Sequence, residues 1–199
     1  MDKYVIGLDY GTLSARAVLV SVGRGEVAAE SIYPYPHGIL NTISGGNEEL
    51  PVDFALQEID DYVEAMYETI RTVVKQSGCR AEDVIGIGID ATSSTFLPLT
   101  KSGTPLCKTE QFRTNPHAWL KLWKHHGAQE EADRMTELAA GRQEKFLMRC
   151  GGKVNAEWML PKLTEIVLKA PDVYEAADNF MEVSDYLVFL LTGEMTRCM

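Results

Sequence analysis

Several common signatures are missing from this sequence. Cys79, Cys107, Cys150 and Cys198 stand far apart with no CxxC pair, and no histidine cluster accompanies them, so neither a zinc knuckle nor a disulfide framework is indicated. The four thiols are read as buried or incidental. No apolar run approaches the ~20 residues of a membrane span, and the opening Met1-Asp2-Lys3-Tyr4 lacks the basic and apolar regions of a signal peptide. A cytoplasmic location is therefore expected. Basic residues are scarce, 19 against 29 acidic ones, for a formal net charge of −10. Nucleic acid and anionic membranes both favour a surface that displaces counterions, so neither is expected as a partner and any anionic ligand has to be held locally. The chain also lacks a GxxxxGK[ST] loop, a GxGxxG fingerprint, internal repeats and low-complexity tracts.

What is present suits a globular α/β chain. With 45% hydrophobic and 24% charged residues over 199 positions, it can bury roughly two-thirds of its unfolded surface as one large domain or two small ones. Val5 to Leu8, Ala15 to Val22 and Glu26 to Tyr33 read as three strands, the last two joined through Gly23-Arg24-Gly25, which suggests an antiparallel meander. From Pro34 to Pro51 the chain is rich in Pro, Gly, Asn and Ser, including Ser44, Gly45, Gly46 and Asn47, and reads as a long loop. Ile59, Val63, Met66, Ile70 and Val73 then recur at helical intervals up to Gly78.

Val84 to Asp90 reads as a buried strand parallel to the first, because a helix separates it from the meander. Phe96 to Leu99 adds a short strand. Asn115-Pro116 has the form of a cap followed by a first-turn proline, with Trp119, Leu122, Trp123 and His126 on one face of the helix it would open. Three further helices are expected after Asn155: one to about Ala170, one near Val173 to Ala177, and one capped by Ser184 and stopped by Gly193.

Two strand ends carry the chemistry. In Gly7-Leu8-Asp9-Tyr10-Gly11-Thr12-Leu13-Ser14-Ala15-Arg16, a strand ending in a carboxylate turns through Gly11, Thr12 and Ser14. Such a turn collects backbone N–H groups and hydroxyls that suit phosphate oxygens. Arg16 offers a bidentate charged contact, and Asp9 a ligand for hydrated Mg2+. The alternative is an ordinary hairpin whose polar residues only form the turn. In Asp90-Ala91-Thr92-Ser93-Ser94-Thr95, small hydroxyl residues follow the carboxyl end of a strand, a position where open α/β sheets bind ligands. These groups suit a polyol; the alternative is a polar connection. Adjacent helical residues project about 100° apart, which argues against His125 and His126 sharing a metal. Trp119, Trp123 and Trp158 fit a packed core as well as a binding surface.

The ordered series GLDYGTLSAR, Tyr35-Pro36-His37-Gly38, Ala55-Leu56-Gln57, GIGIDATSST, Leu122-Trp123-Lys124, GGKVNAEWMLPK and SDYLVFLLTG resembles the FGGY carbohydrate kinases over nearly the whole chain. The resemblance implies a ribonuclease-H-like (actin-like ATPase) α/β domain, a mixed sheet with an antiparallel meander then parallel strands, flanked by helices. It further implies a sugar-binding N-terminal domain over residues 1–199, incomplete, with the ATP-binding C-terminal domain absent from this chain. Within the family it points to members that convert L-ribulose to L-ribulose 5-phosphate in arabinose catabolism. The implied cofactors are ATP and Mg2+ and the substrate is a ketopentose; a homodimer is left open.

By position, Asp9 organises Mg2+, Gly11, Thr12 and Ser14 face the phosphates, and Arg16 lies near the transferred group. Thr92, Ser93 and Ser94 lie along the sugar, with Trp123, Glu157, Trp158 and Lys162 in its surroundings. His125 replaces an expected Asp, and Cys150 an expected aromatic. The carboxylate that accepts the sugar proton is expected downstream of Met199, so the 199-residue chain alone is expected to be inactive. The competing expectations are a stand-alone sugar-binding module, another FGGY kinase such as a xylulose-phosphorylating one, and an actin-like or chaperone-like ATPase.

Overall fold

The computed structural model describes residues 2–43 and 49–197. Ser44, Gly45, Gly46 and Asn47 of the expected long loop, and Cys198, lie outside the described residues. In chain order the elements are β1 (Tyr4–Tyr10), β2 (Ser14–Ser21), β3 (Val27–Pro34), β4 (Leu56–Gln57), α1 (Ile59–Ser77), β5 (Val84–Ala91), β6 (Phe96–Leu99) and β7 (Leu120–Lys121), then α2 (Gln129–Gly141), α3 (Phe146–Arg149), α4 (Met159–Lys169), α5 (Pro171–Ala176), β8 (Asn179–Glu182) and α6 (Val183–Thr192). They group into two compact units. One is Met1–Gly38, Glu58–Thr92 and Val183–Met199; the other is Ile39–Gln57 and Ser93–Glu182.

The first unit is built on a sheet of order β3-β2-β1-β5, with β1 antiparallel to β2 and parallel to β5. The hairpin after β2 closes as expected, with Gly25 at φ +67° and its N–H donated to the Ser21 carbonyl. Alternation then sorts the side chains: Ile6, Leu8 and Tyr10 of β1 and Ala15, Ala17 and Leu19 of β2 are buried, and α1 packs against β2 and β3. Helix α1 opens with the Glu58 carboxylate accepting from the Asp60 N–H, carries Asp60 and Asp61 in its first turn and Lys75 in its last, and closes on left-handed Gly78. Its buried stripe is Ile59, Tyr62, Met66, Thr69 and Val73. Val63 and Ile70, expected on that stripe, flank it half-buried.

Strand β5 is parallel to β1 as expected, but it is not a buried strand. It is the edge of its sheet, where Ile85 and Ile87 are 59% and 42% exposed. A run of β-branched residues does not reveal whether a neighbour covers it; Ile87 stands opposite Ile6 on the face that α1 packs against, but α1 lies over β2 and β3, and α6 is the helix that reaches β5.

The second unit has its own sheet, order β4-β7-β6-β8, with every described pairing antiparallel. Strand β6 is buried along its whole length. The segment after Asn115 differs most from expectation. Asn115 does cap, accepting from the His117 N–H, and Pro116 does occupy the first turn, but the helix is a single 3-10 turn, Pro116–Ala118. The chain then becomes β7, because pairing with β4 and β6 satisfies the backbone that a longer helix would have satisfied internally. Trp119 is core, its indole N–H donating to the Arg113 carbonyl at 3.0 Å. Helices α4, α5 and α6 fall where expected, except that α6 begins at Val183 and so places Ser184 inside its first turn rather than at its cap; α2, α3 and the short strands β4 and β8 carry weak patterns that the sequence does not announce.

Gly127 is closely packed in this unit. A Cβ there would lie 2.7 Å from Glu165 Oε1, 2.8 Å from His125 Nε2 and 2.8 Å from Phe54 Cε2. Gly127→Ala should therefore cost about 1–3 kcal/mol through overpacking, measured by chemical denaturation. Gly141→Ala, at a helical glycine with nothing within 4 Å, should leave stability unchanged or raise it.

Candidate functional site

The turn between β1 and β2 is held by the Gly11 N–H donating to the Ser14 carbonyl at 3.0 Å and by the Tyr35 N–H donating to the Leu13 carbonyl at 2.9 Å. Asp9, at the end of β1, stands opposite Arg16 of β2 and opposite Asp90 of β5. Directly paired residues share a sheet face, so one guanidinium and two carboxylates meet on the face away from the Ile6–Leu8 core. The glycine pair Gly7 and Gly88 precedes them on that face and adds no side chain to it. Arg16 Nη1 lies 3.3 Å from Asp9 Oδ2, with both side chains more than half exposed. Such a pair adds little stability and leaves both groups open to a ligand.

Asp90 was not singled out as a site residue in the sequence. Its signal was the repeated Gly-Leu-Asp and Gly-Ile-Asp, which parallel pairing brings into register. Among the described residues no group of three or more His, Cys, Asp or Glu side chains is placed to hold a metal. Mg2+ bound through phosphate and water needs only one or two carboxylates, and the hard oxygens of Asp9 and Asp90 fit it.

Of the hydroxyl-rich segment, Thr92 belongs to the first unit, where its N–H continues the β5–β1 pairing to the Tyr10 carbonyl. Ser93 and Ser94 belong to the second unit, Ser93 exposed and Ser94 in the left-handed region at φ +57°. The Lys162 ammonium, fully buried, donates to the carbonyls of Ser94 and, at 3.1 Å, Leu122. Thr95 Oγ1 accepts from the Trp123 N–H at 3.1 Å. Ser94, Lys162 and the backbone of Trp123 thus form one connected group. Glu157 pairs instead with His126, Nε2 to Oε1 2.9 Å. Trp158 lines an apolar groove of about 240 Å3 with Met135, Leu138, Phe146 and Leu160, to which Ser93, Ser94, Trp123 and Lys162 do not contribute.

Next to this group lies a buried ionic cluster. Glu165 Oε2 is 3.0 Å from both Lys121 Nζ and His125 Nε2, and all three side chains are fully buried. The Ala55 N–H donates to His125 Nδ1, so Nδ1 is the acceptor and the neutral ring carries its proton on Nε2, toward Glu165. His125, which replaces the expected carboxylate, is therefore a partner of Glu165, packed edge-on against Phe54.

Burial, with the Lys121 charge, pushes His117 down to about 4. Burial does the same to His125, to about 4, against the opposing hydrogen bond to Glu165. Burial would raise Glu165, but the His125 hydrogen bond and the Lys121 charge outweigh it and hold the carboxyl at about 2. Lys162 falls to about 7 through burial and the nearby Lys121 charge.

Comparison with known proteins first defines the class. The fold matches that of a xylulose kinase from Rhodospirillum rubrum with a TM-score of 0.70 at 21% identity, covering 98% of this chain and 36% of that one. The N-terminal domain model of the FGGY family of carbohydrate kinases matches residues 4–198, and the chain belongs to that family. Similar relatives are the ribulokinases of Geobacillus thermodenitrificans and Anoxybacillus flavithermus, 47% and 46% identical over 196 residues, each match covering 98% of this chain and 35% of the relative. The chain thus spans about a third of the length of these relatives. Among the described residues no helix is long and apolar enough to cross a membrane.

The two buried histidines make stability depend on pH. Their folded pKa values, about 4, lie below the ordinary ~6.5, so between those limits the unfolded chain binds protons that the folded chain does not. The melting temperature should be highest above pH 6.5 and fall steadily toward pH 4, with a further fall below about 4.5 as the unfolded carboxylates protonate and Glu165 does not. His125→Gln should flatten the first fall by about half, read by calorimetry across pH 4–8.

Proposed function

We propose that this chain is the sugar-binding N-terminal domain of an ATP-dependent kinase that phosphorylates a ketopentose, L-ribulose, at its terminal hydroxyl to give L-ribulose 5-phosphate in arabinose catabolism. The observation that carries this reading is the match to ribulokinases along 98% of the chain at 46–47% identity. The placement of Asp9, Asp90 and Arg16 on one face supports it.

The N–H groups of the turn from Gly11 to Ser14, with the hydroxyls of Thr12 and Ser14, receive phosphate oxygens, and Arg16 faces the transferred group. Asp9, with Asp90 beside it, holds the hydrated Mg2+, which when bound neutralises phosphate charge. The hydroxyls of Thr92, Ser93 and Ser94 hydrogen-bond the polyol. Trp123, Glu157 and Trp158 remain candidates for its surroundings. The ATP-binding domain, and the carboxylate that accepts the hydroxyl proton and aligns the attack, are assigned to polypeptide beyond residue 199. A cytoplasmic location is part of the same proposal.

A coupled assay tests this directly. The 199-residue chain alone should turn over no ATP with L-ribulose; phosphorylation by this chain alone would overturn the division of labour. In the kinase that carries the chain, Asp9→Asn should lower kcat about 100-fold or more, whereas Cys79→Ser should leave it unchanged. Ser93→Leu should raise the KM for L-ribulose about tenfold without changing that for ATP. A natural stop at residue 199, with calorimetric binding of L-ribulose and no kinase activity, would favour a stand-alone sugar-binding module instead.

A further inference from the structure

Ser94 is held at both of its backbone polar atoms by charged side chains. Its carbonyl accepts from the Lys162 ammonium, on α4, and its N–H donates to Glu182 Oε1, on β8, at 2.7 Å. Glu182 stands opposite Phe96 in the β6–β8 pairing, and the Lys162 ammonium lies 5.6 Å from the centre of the Phe96 ring. A serine at φ +57° adopts a conformation that is unfavourable for an L-residue and persists only where its surroundings over-determine it. Lys162 also donates to the Leu122 carbonyl, and Thr95 accepts from the Trp123 N–H. The same ammonium therefore ties the Ser93–Ser94 turn to the Leu122–Trp123 segment. Burying a lysine this completely is costly unless its donors are used, and both of its partners are backbone carbonyls.

We propose that Lys162 and Glu182 are positioning residues that lock Ser94 in its left-handed conformation and so fix how the Ser93–Ser94 turn presents its hydroxyls to a sugar. This rests on the sugar-binding reading of that turn. It moves Lys162 from the sugar's surroundings to the scaffold behind them, and it gives Glu182 a role. Two of the ammonium's three N–H donors go to backbone carbonyls, those of Ser94 and Leu122, so the residue acts through Ser94.

The test uses the 199-residue chain with Glu182→Leu, Glu182→Gln and Lys162→Met. Losing a charge-assisted hydrogen bond to the Ser94 N–H should speed its amide hydrogen exchange about tenfold in Glu182→Leu and raise the calorimetric Kd for L-ribulose about tenfold. Glu182→Gln keeps an oxygen acceptor and should stay within about threefold of the parent chain in both readouts. Lys162→Met should weaken sugar binding similarly. If it fails to fold, the Leu and Gln pair at position 182 decides alone. Unchanged exchange and Kd in Glu182→Leu would overturn the proposal, as would equal losses in Glu182→Leu and Glu182→Gln. Should the parent chain bind no L-ribulose, the functional reading falls, and Ser94 exchange in the variants still decides whether these residues hold the turn.

Discussion

The pairing of β1 with a neighbour on each side is the constraint on which the face carrying Asp9, Arg16 and Asp90 depends. Antiparallel pairing with β2 places Arg16 opposite Asp9, and parallel pairing with β5 places Asp90 on the other side. A one-residue slip in either pairing would turn those side chains to the opposite face. Burial prevents that slip: Ile6, Leu8 and Tyr10 alternate with Val5, Gly7 and Asp9, and they must stay on the buried face. The hydrophobic core and the polar cluster are thus two consequences of one register.

The second unit solves a different problem, placing charge inside a core. Lys121, His125 and Glu165 are fully buried together, and such a group is tolerable only when each polar atom meets a partner. Most do. The exceptions are Glu165 Oε1 and His117 Nδ1, which lack a hydrogen-bond partner among the described residues. Gly127 lies against this cluster because any side chain there would enter it. Lys162 extends the same polar interior toward Ser94 and converts buried charge into backbone geometry at the surface.

Much of this was legible in the sequence. The meander, α1 with its Gly78 stop, the parallel return of β5 and the last three helices followed from period and punctuation, because those signals act over a few residues. The GLDYGT turn and the DATSST segment were found for the same reason. Elsewhere local signals were outvoted. Asn115-Pro116 is a sound helix start that yields one 3-10 turn, since β4 and β6 claim the backbone of Leu120 and Lys121. The β-branched run of β5 could not announce that it lies at an edge. Trp158, placed with the sugar by resemblance, faces an apolar groove, and helical spacing alone cannot separate those two settings.

Sequence by itself determined the meander, α1, the parallel β5 and the last three helices, where the acidic and hydroxyl-bearing turns fall, and the net charge of −10 against which any anion would have to be held locally. These are properties of residue type and short spacing. Only the tertiary structure decided that Asp90 joins Asp9 and Arg16, that His125 pairs with Glu165, and that Lys162 and Glu182 grip Ser94 from two elements 68 and 88 positions away. Contacts between residues so far apart arise from strand register and from the satisfaction of buried polar groups, which no local pattern encodes.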